Sequence, residues 1–295
     1  MTDAICLDHR FSTTRLLTAI KPSEISETNT LKSIGGLRTK GYCKKSDDKK
    51  PLISIITVVY NGEKYLEETI LSILNQTYDN VEYIIIDGKS TDTTLEIVKK
   101  YEDKIDYWIS ESDTGIYDAM NKGISLSSND THLWFINAGD RIYSNDVIEQ
   151  IYKSGKYDVY YGETALVNNQ YQIVNTLTVP HTLTWNDMYQ GMIISHQSII
   201  IHKKLADLYD LKYRYVSDHD WIINALKKTS SINNVGIIFS KYLLDGFSQA
   251  NFSGCWADRI RIIKTHYSIF YLYLNYYFYA KQVLKNIIKN MLKIK

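Results

Sequence analysis

Residues 52–87 read LISIITVVYNGEKYLEETILSILNQTYDNVEYIIID and contain two apolar runs separated by an amphipathic stretch. The runs at 52–59 and 81–87 are rich in β-branched residues and have the length of strands. Between them, apolar residues recur at the spacing of one helix face: Leu66, Ile70, Ile73 and Leu74. Because both runs are apolar throughout, they predict parallel strands of a sheet that helices cover on both faces.

The alternation of strand-like and helix-like segments continues beyond this unit. Further strand-like runs lie at 105–111, 132–138 and 157–163. Helical spacing recurs between them, first at Leu95, Val98 and Tyr101 and then at Ile116, Met120 and Ile124. Strands that alternate with helices predict an α/β fold with a doubly wound, mainly parallel sheet.

Composition excludes several other classes of protein. The chain has 295 residues, and its formal net charge of +1 gives no electrostatic reason to expect nucleic acid as a partner. Its cysteines, Cys6, Cys43 and Cys255, are too far apart in sequence for a disulfide framework or a metal-ligand cluster. The N-terminus lacks the pattern of a signal peptide, and no apolar run reaches the ~20 residues that cross a bilayer. We therefore expect a cytoplasmic protein.

Polar residues follow four of the predicted strands. These segments are Tyr60 to Gly62, Asp87 to Asp92, Glu111 to Gly115 and Asn137 to Asp140. In open α/β sheets, ligands bind beyond the carboxyl ends of the strands. One such segment alone is as well explained by a turn or a helix cap, but four on one edge predict an acidic cleft.

An acidic cleft suits a metal ion bridged to a phosphate group. Mg²⁺ is typically held by one or two carboxylates, with substrate phosphates completing its shell. The first strand is followed by YNGEKY, which is not the G-x-G-x-x-G of a dinucleotide site, and the chain has no G-x-x-x-x-G-K-[ST] loop. The sequence therefore favours a metal–diphosphate site over a dinucleotide or ATPase site.

At this point the sequence resembles a known family. The segments at 54–94, 110–124 (SESDTGIYDAMNKGI) and 134–140 (WFINAGD) resemble, in this order, family-2 glycosyltransferases with the GT-A fold. The later two resemble the colanic-acid-like branch, which builds bacterial surface polysaccharides. The resemblance runs over roughly residues 52–250 and is tightest over 52–140.

The resemblance assigns nucleotide-sugar binding to residues at the strand ends: Tyr60, Asn61, Asp87, Ser90, Asp92 and Asp113. It implies that Tyr60 lies against the nucleotide base and that Asp87 accepts a hydrogen bond from it, which favours a UDP-sugar. Ser90 and Asp92 would shape the next helix start, and Asp113 would line the ribose side.

The resemblance also assigns a metal ligand. Asp140 stands where the last acid of the family's D-x-D motif stands, and it would bind Mg²⁺ or Mn²⁺ on the diphosphate. The first acid of the motif is replaced by Asn137 or Ala138. One protein carboxylate, diphosphate oxygens and water are then expected to complete the metal shell.

The general base is expected in the stretch SDHD at 217–220. The resemblance matches Asp218 to the acid of the family's E-D motif, with Asp220 as the alternative base. Acids at a helix start are also explained by the helix dipole alone. His196 and Gln197, in ISHQSIIIH at 194–202, are expected to touch the diphosphate, the metal or the acceptor, although a lone histidine is more often structural.

The predicted organisation has four parts: an N-terminal extension at 1–50 with one short helix near 15–20, a nucleotide-sugar-binding half at 51–164, an acceptor-binding half at 165–255 and a basic, aromatic helical tail at 256–295. The family's processive members carry a Q-x-x-R-W motif and flanking membrane helices, and both are absent from this sequence. The resemblance therefore implies a non-processive, inverting enzyme of the hexosyltransferase type.

The expected reaction moves a sugar from a nucleotide-diphosphate donor to a lipid-linked oligosaccharide or cell-surface polysaccharide. Two alternatives remain open. A catalytically idle binding or scaffold homologue is favoured by the degraded D-x-D motif. A sugar-1-phosphate nucleotidyltransferase would need a Gly-rich basic loop after the first strand, which YNGEKY does not supply.

The tail at 266–295 is aromatic and basic, and no acidic residue occurs after Asp258. Segments of this kind lie in membrane interfaces and are attracted to anionic lipid. The alternative is a helix pair that packs on the catalytic domain or on a second subunit. We expect peripheral contact with the inner face of the cell membrane.

Overall fold

The computed structural model describes residues 33–244, 251–277 and 280–281. The helix expected near 15–20 and most of the basic part of the tail lie outside these residues. The strands are β1 (Ser33–Gly35), β2 (Ile53–Val59), β3 (Val81–Asp87), β4 (Tyr107–Ser110), β5 (His132–Phe135), β6 (Arg141–Ile142), β7 (Val159–Val167), β8 (Ile173–Leu177), β9 (Ile199–His202) and β10 (Ile232–Leu243). The helices are α1 (Leu66–Leu74), α2 (Thr94–Lys100), α3 (Ile116–Leu126), α4 (Val147–Lys153), α5 (Ser217–Leu226) and α6 (Phe252–His266).

The ten strands in the described part of the chain belong to one sheet. Its order is β1-β4-β3-β2-β5-β9-β7-β10-β6, and β8 pairs with β7 outside this path. The pairs β2–β3, β3–β4, β2–β5 and β7–β10 are parallel, whereas β1, β6, β8 and β9 pair antiparallel with their neighbours. The α/β prediction is confirmed, and the sheet is mixed rather than wholly parallel.

Alternation along the strands divides the core between the two faces of the sheet. In β2, Ile56 and Val58 face one apolar cluster, while Ile53 and Ile55 face the other. Helix α3 covers the first cluster, and α1 and α4 cover the second. Each fully buried Ile or Val side chain contributes about 1.5–3 kcal/mol, which explains why strands apolar on both faces are stable only between helix layers.

Residues 33–50 pack on the edge of the sheet. Strand β1 pairs with β4, and Arg38 forms an ion pair with the buried carboxylate of Glu82. Lys44 Nζ lies 2.8 Å from Asp106 Oδ2. The polar composition of this segment therefore reflects a position at the sheet edge, where side chains reach both protein and water.

Strand β9 determines which loops meet at the functional edge. It runs antiparallel to β5, with His132 opposite His202. The turn at 196–198, which precedes β9, therefore lies at the same edge as the loop that follows β5. Asn137 and His196, which are 59 residues apart in sequence, become neighbours because β9 runs in the opposite direction to β5.

The C-terminal segment packs on the domain along one side. His266, at the end of α6, contacts α5, and the chain is again helical at 269–277. Asn275 is buried and donates a hydrogen bond to the carbonyl of Tyr189 at 2.7 Å. Large side chains on the other side are exposed: Ile269, Phe270, Tyr273, Tyr276 and Tyr277. Within the described ranges, no helix is both long enough and apolar enough to cross a bilayer.

Candidate active site

The loop after β2 presents an aromatic ring at the carboxyl edge of the sheet. Tyr60 is 66% exposed. Asn61 adopts a left-handed conformation with φ 49°, which asparagine tolerates better than most residues. Its N–H donates to Ser90 Oγ at 2.7 Å, and its Oδ1 accepts from Thr91 N at 2.9 Å. These bonds join the loops that follow β2 and β3.

Asp87 ends β3 and is 1% exposed. Its carboxylate accepts hydrogen bonds from the N–H and hydroxyl of Ser90 and, at 2.6 Å, from Ser110 Oγ at the end of β4. Asp92 Oδ1 accepts from Thr94 N at 3.0 Å at the start of α2, and its Oδ2 accepts from Glu63 N at 3.1 Å. The two acids therefore organise neighbouring loops.

Asp113 lies across a narrow gap from the loop after β3. Gly115 N donates to Asp113 Oδ1 at 2.9 Å. A Cβ atom on Gly88 would collide with Oδ2 of Asp113 and would touch the ring of Tyr60. Gly88 permits this close approach, which places Tyr60 and Asp113 on one wall. Burial raises the pKa of Asp113 above its ordinary value.

Asp140 is held in the loop after β5 from three sides. Gly139, with φ 102°, turns the chain so that the Asp140 side chain points inward. Oδ2 accepts from Gln197 Nε2 at 2.8 Å, and Oδ1 accepts from the N–H of Leu243 on β10 at 3.2 Å. The backbone carbonyl accepts from Thr69 Oγ1 of α1 at 2.8 Å. Asp140 is 6% exposed, and burial raises its pKa to about 6 despite the hydrogen bond from Gln197.

Asp218 lies in the first turn of α5 and faces the same edge. Oδ1 accepts from the Tyr117 hydroxyl at 3.1 Å and from His219 N at 3.0 Å. Oδ2 lies 3.1 Å from His196 Nδ1. Burial alone would raise the pKa of Asp218, but the hydrogen bonds from His196 and Tyr117 act against burial, and the pKa lies below its ordinary value.

Asp220 faces a different part of the molecule. Its Oδ1 lies 2.7 Å from His266 Nε2 on α6, and its Oδ2 accepts from Asn224 Nδ2 at 3.0 Å. It is 7% exposed. The structure therefore separates the two acids that the sequence left as alternatives, because Asp220 joins α5 to α6 while Asp218 faces the loop edge.

His196 and Gln197 connect Asp218 with Asp140. His196 lies between Asp218 and Asn137, whose Nδ2 is 3.2 Å from His196 Nε2. The structure thus places His196 beside the candidate base rather than against Tyr60 or Asp113. The sequence singled out Gln197 together with His196 but did not predict its hydrogen bond to Asp140. The role of Tyr117 was missed, because this residue was interpreted only as part of a helix.

The carboxylate of Asp140 fits a single-ligand site for Mg²⁺ or Mn²⁺. Among the residues that the structure describes, no group of three or more His, Cys, Asp and Glu side chains is arranged to hold a metal. Each oxygen of Asp140 accepts one protein hydrogen bond and has room for about two. A hard cation shared with substrate phosphates needs only one or two protein carboxylates.

Comparison with known proteins identifies the family. The profile of Glycosyl transferase family 2 matches residues 54–223. An uncharacterised glycosyltransferase of Mycobacterium tuberculosis is 32% identical, over 59% of this chain and 69% of its own. A PGL/p-HBAD biosynthesis glycosyltransferase of Mycobacterium bovis is 27% identical, over 62% of this chain and 72% of its own.

Solved structures show the same fold. S. aureus TarS 1–349 in complex with UDP-GlcNAc superposes with a TM-score of 0.56 at 18% identity, over 72% of this chain and 65% of that one. The mannosyltransferase PcManGT from Pyrobaculum calidifontis, in complex with GDP-Man and Mn²⁺, gives a TM-score of 0.52 at 13% identity, over 76% of this chain and 67% of that one. The chain spans less than two thirds of the TarS fragment. The fold is GT-A-like, and the chain belongs to glycosyltransferase family 2.

Proposed function

We propose that this protein is an inverting, non-processive, metal-dependent glycosyltransferase of the hexosyltransferase type. It moves a sugar from a UDP-sugar to a lipid-linked oligosaccharide or cell-surface polysaccharide of a bacterium. The proposal rests on one observation: two carboxylates whose pKa values are shifted in opposite directions lie at the same edge of the sheet. Asp140 is buried with a raised pKa, Asp218 is held ionised, and the dipeptide His196-Gln197 touches both.

The donor site occupies the loops after β2, β3 and β4. It comprises Tyr60, Asn61, Asp87, Ser90, Asp92 and Asp113. The exposed ring of Tyr60 offers a face on which a base stacks, and stacking of aromatic rings is worth about 0.5–1.5 kcal/mol beyond area burial. The complexes of TarS with UDP-GlcNAc and of PcManGT with GDP-Man support a nucleotide sugar as donor.

Asp140 would hold Mg²⁺ or Mn²⁺ beside the donor diphosphate. When bound, the cation neutralises negative charge that develops on the departing diphosphate. Asp140 is suited to this role because its loop is fixed by Thr69, Gln197 and Leu243 before any substrate arrives. The complex of PcManGT with Mn²⁺ supports the use of a divalent cation.

Asp218 acts as the general base. It accepts the proton of the acceptor hydroxyl while that oxygen attacks the sugar carbon from the face opposite the diphosphate. Its low pKa keeps the carboxylate ionised at neutral pH, and three hydrogen bonds fix its direction. Asp220 is unsuited to this role because its carboxylate faces α6, where it contacts His266, and not the loop edge.

The exposed aromatic face of 269–277 supports a peripheral contact of the enzyme with the inner face of the cell membrane. We define this aromatic face by Phe270, Tyr273 and Tyr277, which are exposed on a segment whose opposite side packs on the domain. Lysines recur after it in the sequence, at Lys281, Lys285, Lys289 and Lys293. Aromatic rings and cationic side chains together suit an anionic lipid surface.

Calorimetric titration of the purified chain with UDP, GDP and dTDP, each with and without Mn²⁺, tests the donor site first. Binding of UDP that strengthens with Mn²⁺ is the expected result, and incubation with UDP-sugars and membrane lipid extracts should then give a glycosylated product. Absence of nucleotide binding by folded protein would instead favour the idle homologue, with the single acid of the motif as its cause.

A further inference from the structure

His196 is fixed by hydrogen bonds at both ring nitrogens. Nδ1 lies 3.1 Å from Asp218 Oδ2, and Nε2 lies 3.2 Å from Asn137 Nδ2. An ionised carboxylate only accepts hydrogen bonds, and an amide nitrogen only donates. The ring therefore carries its proton on Nδ1 and presents a lone pair at Nε2. Asn137 and Asp218 together select one neutral tautomer.

Asn137 makes this contact through its amide nitrogen, and its carbonyl oxygen is directed elsewhere. Its Oδ1 is buried and has no hydrogen-bond partner within the described part of the chain. A turned amide would face Nε2 with oxygen and would require a second ring proton. The orientation of one amide thus decides whether His196 is neutral, which gives a physical role to the amide found where related motifs carry an acid.

Asp218 needs this support because it is nearly enclosed. Its remaining hydrogen bonds come from Tyr117 and His219 N, and both go to Oδ1. His196 is the group that holds Oδ2. Other titratable side chains that interact electrostatically with Asp218 are those of Tyr209, His219, Tyr242 and Cys255.

We propose that His196 is a positioning residue that orients the Asp218 carboxylate through Nδ1–H, and that Asn137 fixes the tautomer this requires. The inference rests on the proposed function, since it assumes that Asp218 takes a proton from the acceptor. In that step the acceptor O–H bond breaks and its proton moves to Asp218. The new bond to the sugar carbon forms as the bond to the diphosphate breaks, and Asp218 later releases the proton to water. His196 keeps its own proton throughout.

The same short turn also fixes Asp140. Gln197, the next residue, donates to Asp140 Oδ2, and its own Oε1 faces Ser195 Oγ. Positions 196 and 197 therefore hold the base and the metal ligand at a constant separation. Substitution at 196 is expected to affect proton transfer, whereas substitution at 197 is expected to affect the metal.

Three substitutions at 196 separate the roles of the two ring nitrogens. The amide nitrogen of asparagine is three bonds from Cα, as Nδ1 is, and that of glutamine is four bonds away, as Nε2 is. H196N should keep kcat within about threefold, whereas H196Q and H196A should lose at least about tenfold, since general-base catalysis supplies about 10²–10⁴. KM for the donor should change less than about twofold in all three.

The pH profile distinguishes positioning from a purely structural role. In H196Q and H196A the acid limb of kcat should move to higher pH, because Asp218 loses the partner that opposes its burial. In H196N the acid limb of kcat should stay at the pH of wild type. Equal loss of kcat in H196N and H196Q with an unmoved limb would overturn the inference.

A measurement on the wild-type chain tests the inference without any turnover. ¹⁵N NMR of labelled histidine should show His196 with a protonated Nδ1 and an unprotonated Nε2 at pH 7, and N137L should remove this preference. A wild-type ring protonated on Nε2 would overturn the inference, whatever the enzyme transfers. Failure to transfer any sugar, with the expected tautomer present, would count against the proposed function alone.

Discussion

Asp218 and Asp220 are two residues apart on α5, and an α-helix turns by about 200° over two residues. Their carboxylates therefore point in different directions, one toward His196 and the other toward His266. At the residue scale, this divergence assigns one acid to chemistry and the other to packing.

Asp218→Asn should lower kcat by at least about 10²-fold, because the amide cannot accept the acceptor proton. Nucleotide affinity should stay within about twofold, which calorimetry measures. Asp220→Asn is the matched control. It should keep kcat in the folded protein but unfold at lower urea, since a buried hydrogen bond to a charged group contributes about 1.5–3 kcal/mol. If Asp218→Asn kept the wild-type kcat and Asp220→Asn lost it, the two assignments would have to be reversed.

Asp140→Asn should abolish the increase in UDP affinity that Mn²⁺ produces. The amide is isosteric but lacks the charge that holds a hard cation, and the loss is expected to be about tenfold or more. UDP binding without metal should stay unchanged. Titrations of both proteins with and without Mn²⁺ measure the difference, and a retained metal effect would place the ligand elsewhere.

At the element scale, strands β2 and β3 and helix α1 could be predicted from the sequence, because their apolar residues recur with the periods of a strand and of a helix. Strand β9 was seen only as a short apolar run, and its direction could not be predicted, since it depends on pairing with β5 and β7. The contact of His196 with Asp218 was unpredictable for the same reason. The carboxylates at the strand ends were predictable because the parallel arrangement places them on one edge.

The aromatic face should govern attachment to lipid. Replacement of Phe270, Tyr273 and Tyr277 by Ser should reduce co-sedimentation with anionic vesicles, because these rings are exposed and removed from the packed side of the segment. Ile173→Ser/Val174→Ser is a matched control, since both side chains are exposed apolar groups on β8. Equal sedimentation of wild type and the triple variant would contradict a lipid-binding role.

At the scale of the whole molecule, buried histidines make stability depend on pH. Burial lowers the pKa of His132 and of His219 to about 4. Between pH 6.5 and 4 the unfolded chain binds protons that the folded chain does not, so folding stability falls as pH falls. Each histidine contributes about 3 kcal/mol to this loss. Asp140, whose pKa is raised to about 6, acts in the opposite direction over the same range.

His132→Gln isolates one of these contributions. The free energy of unfolding of the variant should fall by about 3 kcal/mol less than that of wild type between pH 6.5 and 4. Urea unfolding at several pH values measures the slope. His181→Gln, at an exposed position, should leave the slope unchanged. Identical slopes for wild type and His132→Gln would show that His132 binds a proton in the folded state.

The hydrogen bond from Leu243 to Asp140 joins residues about a hundred positions apart, and it forms only when β10 has paired with β7. Strands β2, β3 and β4 pair with sequence neighbours, whereas β10 closes a long loop, which slows its formation. During synthesis the amino-terminal half can therefore fold while Asp140 still lacks its final partner. A nascent chain would therefore complete its proposed cation site only after the partners of Asp140 in the carboxyl-terminal half, Gln197 and Leu243, have been synthesised.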